Sequence, residues 1–139
     1  MRIQGISHIT FVVRDLERAK HFFCDGLGAE EVYDSSAKNF SISNEKFFVL
    51  GGVWIAAMEG EPSTDRSYRH VAFQTTDDEL PRLEDRLRAI GIEMKPPRAR
   101  VKGEGQSLYF YDFEEHLFEL HTGTLEQRLE HYEKGEGPR

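Results

Sequence analysis

Residues 7–16 read SHITFVVRDL, and residues 69–78 read RHVAFQTTDD. Each stretch carries a histidine, His8 or His70, at the head of an alternating apolar run. Each then meets acidic residues and passes into a helical pattern. β-Branched content and a period of two mark both stretches as strands. In the first, His8, Thr10 and Val12 fall on one face and Ile9, Phe11 and Val13 on the other; in the second, His70, Ala72 and Gln74 share a face.

The likeness continues outward on both sides. Asp15 starts a helix with the apolar stripe Leu16, Ala19, Phe22, Phe23 and Leu27, ended by Gly28. Short strands are expected around 30–34, within 39–50 and over 53–58. Asn44-Glu45-Lys46 reads as the turn between FSIS and FFVLG, and Gly51-Gly52 as a second turn. In the second half Thr76 and Glu79 have capping-box spacing, Leu80, Leu83, Leu87 and Ile90 make the stripe, and Gly91 closes the helix. Strands are expected near 92–95, 107–111 and 116–121, with the Pro-, Gly- and Arg/Lys-rich stretch KPPRARVKGEGQS before the second of them. Thr124 and Gln127 are spaced to cap a last short helix through Leu125, Leu129 and Tyr132.

The register of the repeat is consistent. His8 and His70 are 62 residues apart, Gly28 and Gly91 are 63 apart, and VWIAAMEG (53–60) aligns with HLFELHTG (116–123) again at 63. Three landmarks agreeing within one residue imply a duplicated β-α-β-β-β unit. The reading is an α+β fold: one domain over 1–139, with repeats at about 5–60 and 68–123 and a C-terminal helix at about 124–134.

Composition narrows the function. A chain of 139 residues suits one compact domain. A net charge of −7 argues against nucleic acid and against an anionic membrane surface. No apolar run approaches the roughly 18 residues that a membrane span needs. The N-terminus MRIQGISHIT enters a strand pattern with no signal-peptide core, so a cytoplasmic protein is expected. The single cysteine, Cys24, excludes an intramolecular disulfide and, beside Phe22 and Phe23, reads as packing.

The duplicated frame also selects residues for chemistry. Its first and last strands offer four corresponding positions, occupied by His8, His70, Ala56 and Glu119. Two imidazoles and a carboxylate suit a divalent transition metal. The apolar fourth position leaves coordination sites open, as a catalytic rather than a structural metal requires. A lone strand or helix histidine is more often structural, and His21, His116, His121 and His131 take that reading. His121 lies two residues from Glu119, so period two places it on the same face.

From GISHITFVVRDLERA through EKFFVLGGVWIA, RSYRHVAF, PPRARVKGEGQSLYFYD and HLFELHTGTLEQRL, the chain resembles the vicinal oxygen chelate superfamily. Within it the resemblance is to fosfomycin-resistance enzymes of the epoxide-hydrolase type. It implies curved mixed sheets around a metal site, paired in an exchanged homodimer. Each shared site would take His8 from one chain and His70 with Glu119 from the other. It implies Mn2+ as cofactor, other divalent transition metals being possible, and fosfomycin, an epoxide carrying a phosphonate, as substrate. By the same resemblance Glu45 is the general base, and Thr10, Trp54, Ser107, Tyr109 and Arg128 contact substrate. A phosphonate also needs cations, for which Arg98, Arg100 and Lys102 are candidates. The related thiol-transferring enzymes lack a carboxylate where Glu45 stands, and VKGEGQS lacks their serine-rich potassium-binding arrangement. The alternatives are a thiol transferase using glutathione or bacillithiol, an iron dioxygenase, and a non-catalytic drug-binding resistance protein.

Overall fold

The computed structural model describes residues 1–36, 42–96 and 102–135. Strands β1 (His8–Val13), β2 (Glu30–Asp34), β3 (Glu45–Leu50) and β4 (Val53–Glu59) form one sheet, in the order β1-β4-β3-β2. Strands β5 (His70–Gln74), β6 (Glu93–Met94), β7 (Ser107–Tyr111) and β8 (Leu117–His121) form the second, in the order β5-β8-β7-β6. Each sheet has one parallel pair, between its first and last strands, and is otherwise antiparallel. The duplication extends to individual pairings: Thr10 stands beside Ala56 in the first sheet, and Ala72 beside Glu119 in the second.

Helix α1 (Leu16–Lys20) begins where expected, with the Asp15 carboxylate accepting from the backbone N–H groups of Glu17 and Arg18. It continues into a π-helical turn over His21–Gly26. Helix α2 (Leu80–Ala89) starts later than the spacing suggested. The Thr76 hydroxyl accepts from Glu79 N–H at 3.2 Å, but the Glu79 carboxylate turns toward Arg82 at 3.7 Å rather than back to Thr76. Helix α3 (Leu125–Glu133) has both halves of the Thr124/Gln127 capping box. Its stripe faces the other way, however: Leu125, Leu129 and Tyr132 are exposed, and the buried residue is His131.

One expectation is overturned. Asn44-Glu45-Lys46 is not a turn, because Glu45 and Lys46 are the first two residues of β3. The cause is a set of interactions distant in sequence. Ser35 N–H donates to the Glu45 carbonyl, and Glu45 N–H donates to Ser35 Oγ at 2.9 Å. The Lys46 side chain is only 3% exposed, and its ammonium meets Glu31 at 2.7 Å, Asp34 at 2.8 Å and Glu17 at 3.4 Å. These contacts zip the strand pair to its end. Residues 39–41 of the expected strand lie outside the described residues, and 42–44 are not strand.

The two sheets share one core of aromatic rings. Phe11 of β1 lies 5.2 Å from Phe118 of β8, Phe22 contacts Phe110 and Phe118, and Phe23 contacts Phe48. Helix α1 and its π turn therefore pack against both sheets. A carboxylate from the second unit secures the join. Buried Glu114, between β7 and β8, accepts from the backbone N–H groups of Arg14 and Asp15 at the end of β1.

Candidate functional site

Alternation along each strand separates core from chemistry. In β1, Phe11 and Val13 are buried, while His8, Thr10 and Val12 are exposed. Cross-strand register puts Trp54, Ala56 and Met58 of β4, and Val49, Phe47 and Glu45 of β3, on the same face as those three. The His8 ring lies 4.2 Å from the Trp54 ring, and Trp54 meets the edge of Phe47 at 5.1 Å. Glu45 sits on this face at the far end from His8, in the row of Val12 and Met58. It is 8% exposed, and among the described residues its carboxylate has no hydrogen-bond or ion-pair partner.

The second sheet carries the denser cluster. His70 Nε2 stands 3.1 Å from Glu119 Oε1. His70 Nδ1 lies 2.7 Å from the Tyr68 carbonyl, which can only accept, so the ring proton belongs on Nδ1. That leaves the Nε2 lone pair directed at the carboxylate side, the tautomer a metal ligand needs. Tyr109 lies next to Glu119 in the sheet, and the Tyr68 hydroxyl donates to its oxygen at 3.2 Å. Burial first, and the nearby Glu119 charge, push the Tyr109 phenol above its ordinary pKa. Ser107 Oγ lies 2.6 Å from Glu119 Oε2 and 2.7 Å from His121 Nδ1.

The sequence-predicted residues thus fall into two groups. His70, Glu119, Ser107 and Tyr109 come together on the second sheet; His8, Thr10, Trp54 and Glu45 share the outer face of the first. Phe11 and Phe118, which join the sheets, occupy the opposite faces from His8 and Glu119. Both site faces therefore turn away from the common core, and one chain does not gather the three metal candidates. Among the described residues no three His, Cys, Asp or Glu side chains are grouped to hold one ion. Two of the three donors do converge with the right tautomer and chemistry. The set fits a divalent metal if the third donor arrives from another molecule.

Arg128 projects from α3. Its Nε is 3.1 Å from Glu104 Oε1, and its Nη1 donates to the Tyr132 hydroxyl at 3.2 Å. Arg98 and Arg100 lie outside the described residues. Of the histidines read as structural, His21 pairs with Asp25, His116 with Asp112, His131 packs beside Glu104, and His121 faces Ser107 and Glu119. Sequence reasoning missed the Tyr68 carbonyl and the buried Glu104, neither of which has a periodic signal. None of the described helices is long and apolar enough to cross a membrane.

The family model for the Glyoxalase/Bleomycin resistance protein/Dioxygenase superfamily matches residues 5–120, and the chain belongs to that superfamily. Its likeness to one group within it is high. It is 51% identical to the fosfomycin resistance protein FosX of Listeria innocua, over 95% of this chain and 99% of that one. A crystal structure of a FosX mutant from Listeria monocytogenes, in complex with Mn(II) and 1S,2S-dihydroxypropylphosphonic acid, superposes with a TM-score of 0.87 at 53% identity, covering 93% of this chain and 99% of that one. The metallothiol transferase FosB of Shouchella clausii is more distant, at 37% identity over 95% of this chain and 89% of its own.

Proposed function

We propose that this chain is a Mn(II)-dependent fosfomycin hydratase, adding water across the oxirane to give a diol and so conferring resistance to the antibiotic. The observation that carries the reading is the 3.1 Å approach of His70 Nε2 to Glu119 Oε1, in a chain about half identical to FosX. His70 and Glu119 would hold the ion together with His8. Because the two site faces point away from the shared core, His8 would come from a second copy of the chain. The exposed strand edges of β1 and β5, each the outermost strand of its sheet, are where two copies would meet. The product would be a homodimer with two shared sites.

A bound divalent ion supplies a Lewis acid that draws charge from the oxirane oxygen. The chain's own residues do the rest. Glu45, buried and with no cation paired to its carboxylate among the described residues, takes a proton from the attacking water. The new C–O bond forms as a ring C–O bond breaks, and the two hydrogens of water end on the two hydroxyls of the diol. Trp54 and Thr10 line the approach beside His8, and Tyr109 lies beside Glu119. Arg128, with Arg98 and Arg100, supplies positive charge for the phosphonate in a protein that is acidic overall.

The likeness to FosB supports a second reading, a thiol transferase acting on the same epoxide. One experiment separates the two. Purified protein, Mn(II) and fosfomycin are followed by phosphorus NMR with and without thiol. Hydration without thiol, abolished by a chelator and restored by Mn(II), is expected. Product only in the presence of thiol would favour the transferase, and no product in either would remove both.

A further inference from the structure

Residues 60–69 join the two units and contain neither helix nor strand. One side chain among them nevertheless grips the second unit. The Arg66 guanidinium lies 3.8 Å from the centroid of the Tyr111 ring. Its Nη1 and Nη2 donate to the two oxygens of Glu93 at 3.0 and 2.9 Å, and its Nε donates to the Glu115 carboxylate. Glu93 and Tyr111 are register partners in β6 and β7, and Glu115 lies in the turn before β8 with φ of +73°. Three separate segments of the second unit thus meet on one planar cation. A lysine could not replace it, because only a guanidinium has a fork that matches a carboxylate and a face that stacks on a ring.

Two residues later the same segment reaches the site. The Tyr68 carbonyl accepts from His70 Nδ1 at 2.7 Å, the contact that leaves Nε2 turned toward Glu119. Tyr68 stands ahead of β5, whose ladder begins at His70, so the sheet does not fix this carbonyl. The Tyr68 hydroxyl, tied to Tyr109 at 3.2 Å, anchors only the tip of the side chain. The backbone is anchored by Arg66, at most about 7 Å of chain away. We infer, on the metal reading of the preceding subsection, that Arg66 is a positioning residue for that centre. By tying the segment to β6 and β7 it keeps the Tyr68 carbonyl on His70, the ring proton on Nδ1 and the Nε2 lone pair free for the ion. Exposed ion pairs add little to global stability, and the Arg66 and Glu93 side chains are 40% and 60% exposed. The clamp therefore acts on this one segment rather than on the whole fold.

The test reads the His70 ring by nitrogen NMR in the metal-free, full-length protein, at a pH where imidazole is neutral. Wild type should hold the proton on Nδ1. Arg66→Ala should bring His70 to a mixture of its two tautomers. Mn(II) affinity without substrate should fall by roughly 10-fold, the low end for loss of an outer partner of a ligand. Arg66→Lys keeps the charge without the fork and should shift both readouts in the same direction. Arg14→Ala frees the other end of the linker from Glu61 and should change neither. All three should melt close to wild type; if Arg66→Ala fails to fold, Arg66→Lys and Glu93→Gln carry the same expectations. An unchanged tautomer in the Arg66 variants would overturn the inference whatever their Mn(II) affinity. So would wild-type Mn(II) affinity beside a shifted tautomer, or an equal shift in Arg14→Ala. A tautomer shift in Arg66→Ala, in a protein whose wild type binds no Mn(II), would instead sink the metal reading and leave only the hold on His70 standing.

Discussion

Among single residues, the proposed general base Glu45 gives the sharpest test. Its strand holds it on the same face as His8, buried and, among the described residues, without a paired cation. Glu45→Gln preserves shape and removes basicity. Hydration should fall by about 10²–10⁴-fold while Mn(II) affinity stays within a few-fold, measured by turnover and metal titration. Unchanged turnover would remove Glu45 from the mechanism. Its neighbour Lys46 makes a different prediction. The Asp34 carboxyl is held down to about 2 from its ordinary 3.8, first by the hydrogen bond from Lys46 and then by the Ser36 backbone N–H. A carboxyl depressed in the folded state stabilises the fold above its ordinary pKa and loses that contribution as pH falls toward the depressed value. In Lys46→Met the Asp34 titration should move back toward 3.8, followed by carbon NMR of its carboxyl, and this acid-sensitive contribution should shrink. An Asp34 still titrating near 2 would exclude Lys46 as the cause.

At the scale of elements, the close fit of the 102–106 turn against the start of α3 depends on absent side chains. Gly105 has φ of +77°, and a Cβ there would lie 2.7 Å from Gly123 Cα, with the Gly123 backbone nitrogen closer still. Gly91 has a similar φ of +82° at the end of α2, but open space around it. The pair separates backbone strain from collision. Gly91→Ala should cost about 1 kcal/mol, the penalty of the left-handed region alone. Gly105→Ala should cost on the order of 3 kcal/mol, because rigid backbone must also move. Thermal melts of the two variants measure the difference, and equal shifts would mean that the α3 junction yields freely. The turn bears on the proposed phosphonate contact through Glu104, which meets Arg128 of α3.

For the whole molecule, the decisive feature is that the site faces of the two sheets turn away from their common core. Trp54 and Val12 on the His8 face, and Leu125 and Leu129 on α3, are exposed apolar residues in the single chain. An exchanged dimer predicts complementation. Inactive His8→Ala and inactive Glu119→Ala proteins are mixed and allowed to exchange subunits. In a heterodimer one site collects both defects and the other has neither. With equal amounts and random pairing, roughly a quarter of all sites should regain activity. A mixture that demonstrably exchanges subunits and stays inactive would exclude the shared site.

Much of this molecule is written locally. The 62–63-residue repeat of strand, helix and glycine stops predicts two sheets with the same strand order, and it aligns Ala56 with Glu119, which stand at corresponding positions beside Thr10 and Ala72 in the two sheets. Those features follow from side-chain period and turn chemistry, which act over a few residues. The pairing of His70 with Glu119 was legible for the same reason. Tertiary structure decided the rest. Glu45 and Lys46 belong to a strand because Ser35, Glu31, Asp34 and Glu17 hold them there, and no short-range pattern encodes those contacts. His131, rather than the leucine stripe, is the buried side of α3 because Gly103 and Glu104 lie beneath it. Ser107 meets Glu119 and His121 only because β7 and β8 pair in that register. Periodicity determines which residues share a face, but what a face meets depends on segments that only folding brings together.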